Sequence, residues 1–487
     1  MPRVVKTTIS ETSVESESDC ALTCVLTNQQ KPTNTMRNRF LISTKLSILC
    51  IIMASVQGFA QLTSINFDYL TVDEAPKGPI GFVGTGVSIH HPSLPVYGGI
   101  RLNNAAVGIR AGYYTFGYHA GARVPLVDKW SFHPRLMYTT GGGAESNDGS
   151  GWFITPAASL DRQFGDYTLG VGAQYSYVST GVITGSSAYF SLNKQIDFNR
   201  KGLNPFHTQL FTNTVFSSHN ERNSNIGFIG VGGRSFQKRT YQSVYLTAAV
   251  TDLGGYMDVY GGYGLWEQFG AWRFLTELNF GTGGGGRAPA GGGLLYGAGG
   301  EVQYHYNQYF IGGSTGVIKS LDGPFYFSFI GLHLGTDFNF TSTQNEIGYL
   351  PMNLSIENGI RTYLGEDGFS NLGIAFRLYR KGMVQLRGES YWAFTDGRGA
   401  YAEGLFGLRL QPNIWFIETQ VGAGAGGGIN LWGAAALAFV NAGFEIPVND
   451  YWDVTARGIY NVYSSQAFPT YGWQLGMTFN IPFNTQF

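Results

Sequence analysis

Apolar and polar residues alternate with a period of two over most of this chain's 487 residues, and the alternating runs are long. In 168–178, Leu169, Val171, Ala173, Tyr175 and Tyr177 fall on one face of an extended strand. Thr168, Gly170, Gly172, Gln174 and Ser176 fall on the other. In 130–138, Trp130, Phe132, Pro134, Leu136 and Tyr138 oppose Ser131, His133, Arg135 and Met137. Near the C-terminus, Trp473, Leu475, Met477, Phe479, Ile481 and Phe483 oppose Gln474, Gly476, Thr478 and Asn480. Successive side chains of a strand point to opposite faces, so this period belongs to β structure and not to helix. The runs are roughly 10–13 residues long, about twice the globular mean. A tilted strand needs about that length to cross a bilayer.

Composition narrows the choice. Charged residues are 13% of the chain, about half the usual share. Aromatics reach 15%, and glycine accounts for 70 residues. So little charge excludes long solvated helices and coiled coils. So many aromatics exclude a disordered chain, and no Gly-X-Y period marks collagen. With 31 Lys+Arg against 32 Asp+Glu and no basic block, the chain has no footprint for nucleic acid. An all-β protein remains. A soluble propeller or sandwich would have shorter strands and more charge.

The first 60 residues read differently. Residues 1–35 are Ser/Thr/Glu-rich without an apolar period, as in a disordered extension or a misassigned start. Met36 begins anew, with Arg37 and Arg39 ahead of the apolar core Leu46–Ala54 and Gly58-Phe59-Ala60 behind it. That order predicts a signal peptide over 36–60, cleaved near Ala60. Bulky Leu49 before Cys50 speaks against a lipid attachment site. Cys20, Cys24 and Cys50 are the only cysteines, so cleavage removes every disulfide and thiolate metal site. No later stretch is long and apolar enough for a membrane helix.

The leader, the alternation across 61–487 and the aromatic C-terminal run Gly472–Phe483 with its final Phe487 resemble bacterial outer-membrane β-barrel proteins. The resemblance implies residence in the outer membrane, with membrane lipid as a partner. It also implies that the barrel-assembly machinery inserts the chain by reading its last strand. Pro482 and the tail Asn484–Phe487 depart from the usual ending. The chain has no porin constriction loop, plug domain or fatty-acid-transporter motif, so the resemblance marks a class.

Self-similarity adds an internal repeat. Trp130-Ser-Phe-His-Pro-Arg-Leu-Met-Tyr-Thr-Thr-Gly-Gly-Gly143 aligns without gaps on segments opening at Trp272 and at Trp415. A turn recurs as Phe164-Gly-Asp-Tyr167, Tyr306-Asn-Gln-Tyr309 and Val448-Asn-Asp-Tyr451. The chain thus divides into repeats 61–200, 201–342 and 343–487, each with about eight strands, the size of the smallest membrane barrels. The fold expected is a transmembrane antiparallel β-barrel of about 24 strands. Those strands form either three eight-stranded barrels or a single barrel. A single barrel that wide needs a plug, and the loops here are short, which favours three.

Charged residues at positions read as inward are Arg110, Arg123, Arg135, Arg273, Glu277, Arg387, Glu389 and Glu418. In a narrow barrel they should pair and fill the interior; in a wide one they would line water as an ion filter. The glycine runs at 141–143, 283–286 and 424–428 lack the Gly-Lys-Ser/Thr ending of a phosphate loop and suit turns or bulges. Ser217-Ser-His219-Asn220-Glu221 is the one local grouping of alcohol, imidazole and carboxylate, and neither other repeat carries it. The histidines lack metal-ligand spacing. No catalytic residue, cofactor or metal is expected. The expected role is structural, scaffolding or adhesive, with a porin-like pore or export channel as the alternative. A barrel-rim lipid hydrolase is a third reading.

Overall fold

The computed structural model describes residues 62–72, 80–91, 94–143, 151–178, 183–197, 206–219, 224–251, 253, 255–285, 288–341, 349–364, 368–379, 384–393, 401–426, 435–449, 451–464 and 469–486. The extension 1–35, the signal-peptide segment 36–60 and the three cysteines lie outside the described residues. All the strands belong to one unit, Gly58–Phe487.

They fall into three groups. The first holds β1 (Leu62–Val72), β2 (Ile80–His90), β3 (Val96–Val107), β4 (Tyr114–Ala122), β5 (Val124–Pro125), β6 (Trp130–Gly142), β7 (Gly151–Phe164), β8 (Tyr167–Val178) and β9 (Gly185–Asp197). The second holds β10 (Phe206–His219), β11 (Ser224–Gln237), β12 (Thr240–Ala249), β13 (Met257–Phe269), β14 (Trp272–Gly284), β15 (Leu294–Tyr306), β16 (Tyr309–Ser320) and β17 (Tyr326–Thr341). The third holds β18 (Tyr349–Tyr363), β19 (Phe369–Tyr379), β20 (Val384–Ala393), β21 (Tyr401–Leu410), β22 (Trp415–Gly426), β23 (Ala435–Pro447), β24 (Trp452–Tyr463) and β25 (Thr470–Gln486).

Antiparallel neighbours follow one another along the chain, and each group closes on itself. β1 returns to β9, with Phe67 opposite Leu192, and β4 pairs with β6 across the two-residue β5. β10 returns to β17, with Val215 opposite Gly331. β18 returns to β25, with Ile356 opposite Phe479. The fold is therefore three rings of eight strands, and the first strand meets its own ring instead of the chain's last strand. A short pairing of Asn339–Thr341 with Asn484–Gln486 ties the second ring to the third.

Polarity across each ring wall is the reverse of a soluble protein's. On β8, Leu169, Val171, Tyr175 and Tyr177 are exposed while Thr168, Gln174 and Ser176 are buried. On β14, Trp272, Phe274, Leu278 and Phe280 are exposed, and Arg273, Glu277 and Asn279 face inward. Water does not solvate such an outer face; hydrocarbon does. Aromatics gather beside the short turns: Phe164 and Tyr167, Phe269 and Trp272, Tyr306 and Tyr309 are all exposed. This is the belt that aromatic residues form at a membrane–water boundary. The turns themselves are two-residue hairpins. Gly270 opens one at φ 60°, where the backbone is left-handed and a Cβ is disfavoured.

Some outward positions are buried because the rings touch. Phe116 on β4 packs with Leu372 on β19 and Ala402 on β21, and Met257 of β13 joins the same cluster. Asn358 Nδ2 donates to Tyr118 Oη at 2.9 Å between the third and first rings. Ala111 N donates to Gly291 O at 3.0 Å between the first and second. Ring-to-ring packing is direct.

Two outcomes follow from closure and polarity. Leu278 lies midway along β14 and faces outward with 61% of its surface open. Leu278→Arg should cost about 2–4 kcal/mol, the range for a cation at the midplane. Urea titration of the chain refolded in phospholipid vesicles measures it; an unchanged midpoint would show that this face does not meet lipid. Phe67→Cys with Leu192→Cys should oxidise to a disulfide because register partners lie about 4.5–5.5 Å apart. Phe67→Cys with Met477→Cys should not, as it would in a single large barrel.

Candidate functional site

With apolar faces turned outward, the polar residues of each strand converge on the ring axis. Among the described residues, the buried charged and histidine side chains gather largely in the three interiors. An eight-stranded ring is just wide enough for side chains to fill it, and the fillings differ.

The first ring is rich in histidine. His133 Nδ1 lies 2.9 Å from Asp161 Oδ2, and its Nε2 is 2.6 Å from Tyr97 Oη. The Tyr97 ring packs between His133 and His119, and His119 Nε2 meets Ser88 Oγ at 2.7 Å. Arg101 donates through Nε to Asn103, which donates on to Thr115. Arg135 lays its guanidinium 4.5 Å over the Tyr189 ring. Ser88 and His119 are both buried, so their contact is a packed hydrogen bond.

The second ring mixes histidine and ion pairs. Arg234 donates to Glu301 at 2.5 Å, stacks over Phe211, and reaches Tyr245 Oη at 3.2 Å. Glu301 also meets His333 Nδ1 at 3.2 Å. Arg273 pairs with Asp337 at 3.0 Å. Asp258 accepts the Thr247 and Tyr260 hydroxyls, and Glu277 accepts that of Tyr245. Beside these groups lies a cavity of about 90 Å³.

The third ring is a chain of charges. Arg377 joins Glu445, which joins Arg409 at 2.9 Å; Arg409 joins Glu418 at 2.9 Å, and Glu418 joins Arg457 at 2.7 Å. Arg457 continues to Gln474. Arg361 pairs with Glu403, which also accepts the Tyr401 hydroxyl. Arg409 sits 3.8 Å from the centre of the Phe416 ring. Paired, hydrogen-bonded and stacked, these ions satisfy one another where water is excluded.

Against this, the sequence-read charges divide. Arg135, Arg273, Glu277 and Glu418 are buried inside their rings. Arg110 and Arg123 are not on strands. Arg110 is buried in the turn after β3, and half-buried Arg123 stands between β4 and β5, its N–H bonded to Pro95 O. The strand period stops at Val107 and at Ala122, so parity assigns those two arginines no side of the wall. Arg387 stands opposite Arg377 and Glu389 opposite Ala375 in the β19–β20 register; their side chains lie outside the described residues. Ser217 donates to Ile226 O at 3.3 Å, and the side chains of His219, Asn220 and Glu221 lie outside the described residues.

Sequence reading passed over Arg101, Arg234, Arg361, Arg377, Arg409 and Arg457, and the acids Asp161, Asp258, Glu301, Glu403 and Glu445. The signal was there. In Leu408-Arg409-Leu410 both leucines are exposed and the arginine between them is buried. A charge flanked by apolar residues inside a period-two run points inward.

No protein-family profile matches the chain, and no curated protein matches it significantly. Solved structures do overlap with it. The siderophore receptor PirA from Pseudomonas aeruginosa matches at 9% identity over 86% of this chain and 80% of its own, with a TM-score of 0.30. OccK2 (OpdF) of the same organism, in complex with glucuronate, matches at 10% identity over 88% and 100%, with a TM-score of 0.25. OccK5 (OpdH) matches at 8% identity over 87% and 99%, with a TM-score of 0.23. At these values neither ligand nor activity passes from those proteins to this chain.

The pairing logic of the interiors is measurable. Arg361→Met leaves Glu403 buried without its cation and should cost about 3–5 kcal/mol. Arg361→Met combined with Glu403→Leu should recover most of that loss. A double-mutant cycle by urea unfolding checks it; a double variant as unstable as the single one would show that the pair is not the interaction at stake.

Proposed function

We propose that this chain is an integral protein of the bacterial outer membrane, exported by the leader at 36–60 and cleaved near Ala60. It is assembled from three copies of one eight-stranded unit and has a structural, scaffolding or adhesive role without catalysis. The barrel-assembly machinery would insert it, and membrane lipid would be its main partner.

One observation carries the reading: the outer faces are apolar while the interiors are occupied by side chains bound to one another. In the third ring, Arg377, Glu445, Arg409, Glu418 and Arg457 form an unbroken file of contacts. A solute passing that file would have to break several buried ion pairs. What such a protein presents to its surroundings is its shell, its short loops and the seam where Phe116, Leu372 and Met257 hold the rings together. The opening tryptophans support triplication, since Trp130, Trp272 and Trp415 begin β6, β14 and β22.

A porin-like channel is the second reading, and the cavity in the second ring favours it. Planar-bilayer recording separates the two. Filled rings should pass little or no steady current in neutral salt. A large ohmic conductance that scales with salt concentration would replace the scaffold reading with the channel.

A further inference from the structure

In the third ring, Glu403, Glu418 and Glu445 each touch an arginine. The second ring breaks that pattern beside its cavity. Arg234 and Glu301 answer each other there, and Asp258 accepts two hydroxyls. Glu277 receives only the Tyr245 hydroxyl, on Oε1. Its Oε2 is buried with no hydrogen-bond partner among the described residues, and the same holds for Asn279 Oδ1. Both side chains are only 8% exposed, and both border the cavity.

The two groups also converge. A Cβ at Gly262 would lie 2.2 Å from Ser243 Oγ, 2.5 Å from Glu277 Cδ and 2.7 Å from Asn279 Oδ1, so glycine there lets the three side chains meet. The Ser243 hydroxyl shares that corner but donates to neither group, so two acceptors lie together unanswered, and one of them is a carboxylate with no ion-pair partner among the described residues. A buried anion needs a countercharge. The cavity walls include Phe228, Tyr260, Phe327 and Phe329, and aromatic faces attract cations. Its volume of about 90 Å³ exceeds the roughly 10–15 Å³ that one water needs. The neighbouring rings lack the feature at the matching place. The sixth residue of β6, β14 and β22 is Arg135, Glu277 and Gln420, so only the middle ring puts an acid there.

We propose that the cavity of the second ring binds a small organic cation, a protonated primary amine. Its ammonium group donates to Glu277 Oε2 and Asn279 Oδ1, and its carbon body lies against the aromatic wall. The site is independent of whether the rings conduct.

Calorimetry on the full chain refolded in detergent micelles tests it, with methylammonium chloride as the probe and methanol as the uncharged control. Methylammonium should bind saturably and methanol should not compete. Glu277→Gln, which still accepts from Tyr245, should weaken binding at least tenfold. Asn279→Asp, which adds a second carboxylate, should keep or tighten it. The heat-dependent gel shift of a folded barrel verifies that each variant is closed. Absence of methylammonium binding, which would leave water as the occupant, overturns the proposal. So does equal binding by a folded Glu277→Gln variant, or competition by methanol.

Discussion

Closure of each sheet on itself is the constraint from which the rest of this structure follows. An open strand edge in hydrocarbon leaves N–H and C=O groups that nothing can satisfy, at several kcal/mol each. Here β1 meets β9, β10 meets β17 and β18 meets β25, so none of the three rings keeps an edge. Closing after only eight strands has a second consequence: the interior is narrow, with room for little beyond side chains and at most one small ligand. Polar residues at inward parity are then forced together. Most of them are held in mutually satisfying networks, as Arg409 is between Glu418 and Glu445.

The outer surface obeys the opposite rule and has two kinds of neighbour. Over most of each ring, residues such as Leu278 and Val171 are exposed as lipid-facing residues are. At the seam the same parity is buried by protein, and Phe116, Leu372 and Ala402 pack across ring boundaries. The turns take part as well. Gly112, at φ 84°, brings its backbone against Gly284 and Gly285 so closely that no Cβ fits. The glycine run at 283–286 therefore serves ring-to-ring approach where it is described, a role other than the turns or bulges read for it from the sequence.

How much of this was legible depends on the range of each interaction. The faces of β8 and of β14 are local facts, and alternation alone gives them. Ring closure is not local. Whether β1 meets β9 or β25 turns on hydrogen bonds between segments more than a hundred residues apart, and short loops gave only an indirect argument for the former. Partners inside the rings are equally remote: Arg234 finds Glu301 across 67 residues of sequence. Arg110 and Arg123 are a different case. Both follow the last residue of a strand, where the period that assigned their face has ended. Parity points Glu277 inward, yet its want of an ion-pair partner is visible only when its neighbours are known.

The three interiors satisfy their polar groups in different ways, and the contrast between the two surfaces bears on how they can. Lipid asks of an outward residue only that it be apolar, so Leu, Val, Phe and Trp exchange there at little cost. An inward residue must complete a network whose members come from several strands, and a change at one position strands a buried charge at another. If the rings descend from one unit, each interior had to change in concert, ending as histidine hydrogen bonds around Tyr97, mixed pairs around Arg234, and an Arg–Glu file around Arg409. The file has no vacancy for a guest, because each described carboxylate in it already holds its cation. The middle ring kept an acid at Glu277 without one. In that wall, a buried carboxylate oxygen with no partner among the described residues is where a ligand has something to supply.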